Sequence, residues 1–221
     1  MNRRSFIAAL GVVGCVSLAG GAAAQSPHTH EHSFSGAEHW AKVFDDPKRD
    51  AWQKPHEVIQ ALALKPDAAV ADIGAGTGYF SARLSHMLPQ GKVYAVDTEP
   101  DMVKYLAERA KREGLKNLTA VAGKPADPQI PQKVDLALMV DVYHHIDDRV
   151  GYFRKLAGYL KPGARVAIID FRPDSPDGPP KAVRVPPERI KADLKSAGYE
   201  FVQEHSFLPE QNFLIFRSAK S

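Results

Sequence analysis

Val70-Ala71-Asp72-Ile73-Gly74-Ala75-Gly76-Thr77-Gly78-Tyr79 runs from an apolar stretch into three alternating glycines. Ala69 to Ile73 reads as a short buried strand ending in a glycine turn. A helix follows, with Phe80, Leu84, Met87 and Leu88 spaced i, i+4, i+7, i+8. Glycines at such a turn let the backbone reverse tightly and let a ligand approach the main chain. In doubly wound sheets this turn sits where nucleotides bind, outside the carboxyl ends of the strands. The dinucleotide fingerprint G-x-G-x-x-G/A fails in both registers, because it needs Gly or Ala where Tyr79 and Ser81 stand.

The alternation continues in both directions. Pro55 to Leu64 reads as a helix with proline in its first turn and Val58, Ile59 and Leu62 on one side. Lys92 to Val96 is a second strand. Thr98-x-x-Asp101 has the spacing of a capping box opening a helix with Met102, Leu106 and Ala110 inside. Asn117 to Val121 and Val134 to Val140 are strands. The next helix carries Val150, Phe153, Ala157 and Leu160 and stops at Lys161-Pro162-Gly163, before a strand from Arg165 to Asp170. Ile190, Leu194 and Ala197 mark a last helix, with Gly198 at its end. Glu200 to Phe207 and Asn212 to Arg217 are too close for a helical crossover, so they form an antiparallel hairpin. Pro173 to Pro187 is one long proline-rich loop. The expected fold is α/β: a doubly wound, seven-stranded, mostly parallel sheet with a C-terminal antiparallel hairpin.

An acid followed by G-x-G-x-G, as in Asp72-Ile73-Gly74-Ala75-Gly76-Thr77-Gly78, resembles the first motif of class I S-adenosylmethionine (SAM)-dependent methyltransferases, a Rossmann-like family. Further features fall in the family's order: Asp97 ending Val93-Tyr94-Ala95-Val96-Asp97, Val134 to Asp141 as the fourth-strand motif, His144-His145 behind it, and Leu160-Lys161-Pro162-Gly163. The resemblance covers about residues 55 to 218 and implies SAM as cofactor. Gly74, Ala75, Gly76 and Gly78 would lie under the adenosine, and Asp72 would suit the ammonium of the amino-acid tail. Asp97 can accept hydrogen bonds from both ribose hydroxyls. Thr98, Met102 and Asp141 complete the expected cofactor set. Where the family often has an acid for the adenine amino group, this chain has Gly123-Lys124-Pro125, so Lys124 stands in that place.

His144 and His145, just beyond the fourth strand, are the candidate bases for an acceptor that carries a proton, and Tyr79 and Tyr143 could line the same pocket. Trp40 to Lys54, dense in aromatics and charges, makes residues 37–54 a candidate lid over the cofactor, with aromatic packing onto the core as the alternative. Residues 55–221 form the methyltransferase domain. The acceptor is expected to be a small molecule, and no motif names it or an oligomeric state.

Before the domain, Arg3-Arg4-x-Phe6, an apolar run to Ala19 and Ala22-Ala23-Ala24 make residues 1–24 a signal peptide of twin-arginine type. An ordinary secretory signal is the alternative, and a lipoprotein site at Cys15 a third. The run is too short to anchor the mature chain in a membrane, so a periplasmic or secreted protein is expected. The block of Trp40 to Asp46 and Arg49 to Pro55 resembles that of a group of exported bacterial methyltransferase-like proteins. Residues 25–36 read as a disordered linker holding His28, His30 and His32, and no metal site is assigned. The formal charge of +3 becomes 3 − 2 = +1 once Arg3 and Arg4 leave, and no basic stretch alternates with aromatics, so nucleic acid is not expected. Cys15 is the only cysteine, which leaves the mature chain without thiol or disulfide chemistry. SAM is made in the cytoplasm. Export therefore raises two other readings: a SAM-binding protein without turnover, and a metal-handling protein on this scaffold.

Overall fold

The computed structural model describes residues 35–219; the leader, Cys15 and the three linker histidines lie outside them. Seven strands form one sheet in the order β3-β2-β1-β4-β5-β7-β6. They are β1 Ala69–Ile73, β2 Lys92–Asp97, β3 Leu118–Ala122, β4 Val134–Val140, β5 Leu160–Phe171, β6 Tyr199–His205 and β7 Gln211–Ser218. The first five pair in parallel, and β7 lies antiparallel to both β5 and β6. The expected architecture is the one observed.

Helices cover both faces because the strands are apolar on both sides. One face packs Ala71, Met139, Val166 and Ile168 beneath α6 (Arg149–Leu156) and α7 (Pro187–Ser196). The other packs Val70, Leu136, Leu138 and Ile169 beneath α3 (Pro55–Ala61), α4 (Tyr79–Met87) and α5 (Pro100–Arg112). The chain runs outward from β1 to β3 and then returns to β4, so strand order reverses between β1 and β4. Loops from their carboxyl ends part there and leave room for a ligand. Two short helices, α1 (Ala37–Phe44) and α2 (Arg49–Gln53), precede the sheet.

Three local expectations are corrected. Thr98 does not cap α5. The cap position is Glu99, with no side-chain hydrogen bond there, and Pro100 begins the helix. Proline brings no N–H, Asp97 takes the Glu99 N–H at 3.0 Å, and Asp101 accepts the Gly36 N–H at 2.9 Å. The sixth helix ends at Leu156, and β5 begins already at Leu160, which pairs with Val134. Strand pairing overrides the helical spacing of that residue. Met87 is exposed, not on the apolar face.

Candidate active site

The carboxyl edge of the sheet carries a row of acids: Asp72 in β1, Asp97 ending β2, Asp141 just past β4 and Asp170 near the end of β5. Such residues sit at strand ends because the strands behind them are apolar and fully covered. Asp72, Asp97 and Asp170 are buried.

Gly74 has φ +69°, and a Cβ there would strike Val142, so the loop lies tight against the turn after β4. Gly76 has φ +55°, and a Cβ there would meet the Phe44 ring at 3.4 Å. Its N–H donates to Asp97 Oδ2 at 2.8 Å, which pins the loop to the end of β2. Asp97 thus accepts backbone donors on both oxygens, from Gly76, Glu99 and Thr98, and keeps one acceptor site for a ligand. Asp72 accepts from Ser81 Oγ at 2.5 Å, and burial raises its pKa to about 6.

Residues 37–54 lie over this loop. Asp45 pairs with Arg109 of α5, which also donates to the Thr77 carbonyl at 2.9 Å. The Tyr79 hydroxyl donates to Asp50, and its ring lies between the guanidinium groups of Arg49 and Arg83, 4.1 and 4.0 Å from its centre. Arg49 begins a closed polar ring. Its Nε donates to Gln53 at 3.1 Å, and Gln53 donates to Gln211. Gln211 donates to Asp141 at 2.5 Å, and Asp141 faces Arg49 at 3.9 Å. Both glutamines are buried. The ring ties α2 to the ends of β4 and β7, and its one acceptor-only member is the carboxylate. Asp141 itself has φ +59°. Its pKa is pushed up to about 7, by burial first and then by Asp170.

His144 stands in a short 3-10 turn after β4 (Tyr143–His145). Its Nδ1 lies 2.9 and 3.0 Å from the two oxygens of Asp170, and its N–H donates to the same carboxylate. Burial alone would lower its pKa; the hydrogen bond and charge of Asp170 outweigh burial and raise it. His145 is exposed and packs its ring on His144 at 4.1 Å. Tyr143 does not line the site: it is fully buried, with its hydroxyl on Asp193 at 2.9 Å.

Of the remaining cofactor candidates, Ala75 lies within the loop, Met102 is buried in the first turn of α5, and Thr98 and Lys124 are exposed. Arg49, Gln53, Gln211 and Asp170 escaped the sequence reading. Asp170 shows the same signal as Asp72 and Asp97, an acid closing an apolar strand. Gln53 and Gln211 are 158 residues apart and carry no local signal. Among the described residues no cluster of three or more metal-ligating side chains is found, and no helix is long and apolar enough to cross a membrane.

A family model described as a methyltransferase domain matches residues 71–166. The chain superposes on the crystal structure of a SAM-dependent methyltransferase from Aquifex aeolicus with TM-score 0.76 and 27% identity, covering 82% of this chain and 97% of that one. The chain belongs to the class I SAM-dependent methyltransferases. Among curated methyltransferases it is 31% identical to a protein-L-isoaspartate O-methyltransferase of Aeropyrum pernix over 68% of this chain and 57% of the relative. It is 27% identical to a trans-aconitate 2-methyltransferase of Afipia carboxidovorans over 66% of this chain and 53% of the relative. The chain thus spans little more than half the length of these two relatives.

SAM is the family's cofactor, and the methyltransferase site fits it. Thr77 Oγ in the glycine loop is buried without a partner, as expected of a group that a ligand satisfies. Asp97 keeps an acceptor site open at the end of β2, and the buried acids complement a ligand bearing ammonium and sulfonium charges.

Proposed function

We propose that this protein transfers the methyl group of SAM to a small-molecule acceptor whose attacking atom carries a proton, with His144 as the base. The observation that carries the reading is the contact of His144 Nδ1 with both oxygens of buried Asp170. A carboxylate on Nδ1 holds the proton there and leaves Nε2 free to take another. SAM, when bound, supplies an activated methyl on a sulfonium. The chain's own residues orient the partners and exclude water. Asp97 and the glycine loop bind, α1 and α2 cover, and His144 receives the acceptor's proton while Asp170 positions it. Relatives named for small carboxylic acids support the small-molecule assignment.

His144→Gln keeps a polar side chain but removes the base. Methyl transfer from labelled SAM should fall about 10²-fold or more, with SAM affinity unchanged by calorimetry. A variant as active as wild type would take proton transfer away from His144.

A second reading rests on the Arg3-Arg4-Ser5-Phe6 leader. A protein exported already folded would leave the cytoplasm with one bound SAM and act as a binding module without turnover. Native mass spectrometry of protein purified from the periplasm tests it: retained SAM favours that reading, whereas S-adenosylhomocysteine reports turnover.

A further inference from the structure

Among the described residues, three buried side-chain atoms have no hydrogen-bond partner: Thr77 Oγ, His205 Nε2 and Asn212 Nδ2. The cofactor accounts for the first. Asn212, only 5% exposed, is the second residue of β7, an unusual place for a buried amide. It pairs directly with Asp170 across the antiparallel β5–β7 ladder. Directly opposed residues in such a ladder send their side chains to the same face, within contact distance. Asn212 therefore stands beside the carboxylate that holds His144. An amide NH2 is a donor, and a buried donor without a partner calls for one.

We propose that Asn212 binds the methyl acceptor by donating to an oxygen next to the atom that His144 deprotonates, which makes the acceptor a neutral hydroxy-carbonyl compound. This rests on the base role given to His144 above. Neutrality follows from the surroundings. Asn212 opposes Asp170 across the ladder, so an acceptor carboxylate beside Asn212 would lie against a buried acid. A carbonyl oxygen accepts the amide hydrogen without that repulsion. In the step, the hydroxyl proton passes to His144 Nε2 and the oxygen forms the new O–CH3 bond. The S–CH3 bond breaks, and S-adenosylhomocysteine leaves as a neutral thioether.

The test uses 2-hydroxyacetophenone as probe, with phenol and salicylate as controls lacking the carbonyl or adding a negative charge. Calorimetry on protein saturated with S-adenosylhomocysteine should show the hydroxyketone binding at least tenfold tighter than either control. Asn212→Leu should abolish that preference, leave affinity for S-adenosylhomocysteine unchanged, and melt no lower than wild type, because it replaces an unpaired buried amide with an apolar side chain of similar size. Asn212→Thr, which keeps a donor on a residue suited to a strand, should restore part of the preference and covers the case in which the leucine variant does not fold. Absence of hydroxyketone binding by wild type, or an undiminished preference in both variants, would overturn the proposal. Probe binding that depends on Asn212 without methyl transfer would leave this assignment standing and remove the base role of His144. Methyl transfer untouched by Asn212→Leu would do the reverse.

Discussion

Asp97 shows how one side chain joins stability to binding. Its oxygens fix the Gly76 and Glu99 amides, so Asp97→Ala loses the anchor of the glycine loop together with the ribose contacts proposed for it. Hydrogen bonds to a charged acceptor contribute roughly 1.5–3 kcal/mol each. SAM affinity should fall at least tenfold by calorimetry, accompanied by a lower Tm; unchanged affinity would remove the ribose assignment. Asp141 and Asp72, with pKa values pushed up to about 7 and 6, give a pH dependence. Both carboxyls hold protons in the free folded chain where an unfolded carboxyl, near about 3.9, has lost them. Their contribution to folding stability is therefore present at low pH and is lost as pH rises through those values. A ligand bearing ammonium and sulfonium charges favours the ionised carboxyls, so its binding releases protons. The rise in Tm produced by SAM should shrink as pH is lowered from about 8 to about 5.5. A constant rise would separate these acids from the cofactor's charges.

The element whose behaviour matters most is the pair α1 and α2. Helices of eight and five residues are too short to hold themselves in water, and their order comes from what they touch. The Asp45–Arg109 pair, the Asp50–Tyr79 contact and the Arg49–Gln53–Gln211–Asp141 ring supply that hold. Gln53→Leu removes one donor and one acceptor from the ring, leaving the Gln211 carbonyl buried without its donor. A loss of about 1–3 kcal/mol in denaturant unfolding is expected. Limited proteolysis should also cut within residues 37–54 faster than in wild type. Equal cleavage of both proteins would show that the ring does not hold the segment down. The spacing of apolar residues was enough to place most of the longer helices. It failed at Thr98 and Leu160, where a proline and a strand partner decided the local structure.

At the scale of the whole molecule, we propose that the chain is exported through the twin-arginine route, on the strength of Arg3-Arg4-Ser5-Phe6. Replacing both arginines with lysine keeps the charge that a general secretory route reads. It removes the planar guanidinium pair, for which lysine is a poor substitute. Precursor should then accumulate in the cytoplasm on fractionation. Equal export of both forms would remove folded export, and with it the reading of a module that carries SAM out.

By itself the sequence determined the sheet, its parallel and antiparallel parts and the cofactor loop, because these are written in short-range patterns. Apolar runs set strands, helical spacing set the helices, and Asp72 to Gly78 and Asp97 lie at strand ends that any doubly wound sheet brings together. Tertiary structure alone decided what surrounds His144 and Asp141. Asp170 reaches His144 across 26 residues, Gln211 reaches Asp141 across 70, and Asn212 meets Asp170 only because β7 inserts beside β5. Such pairings depend on strand order and register, which no local spacing encodes, and burial gives them their chemical weight by removing the water that would otherwise satisfy each group.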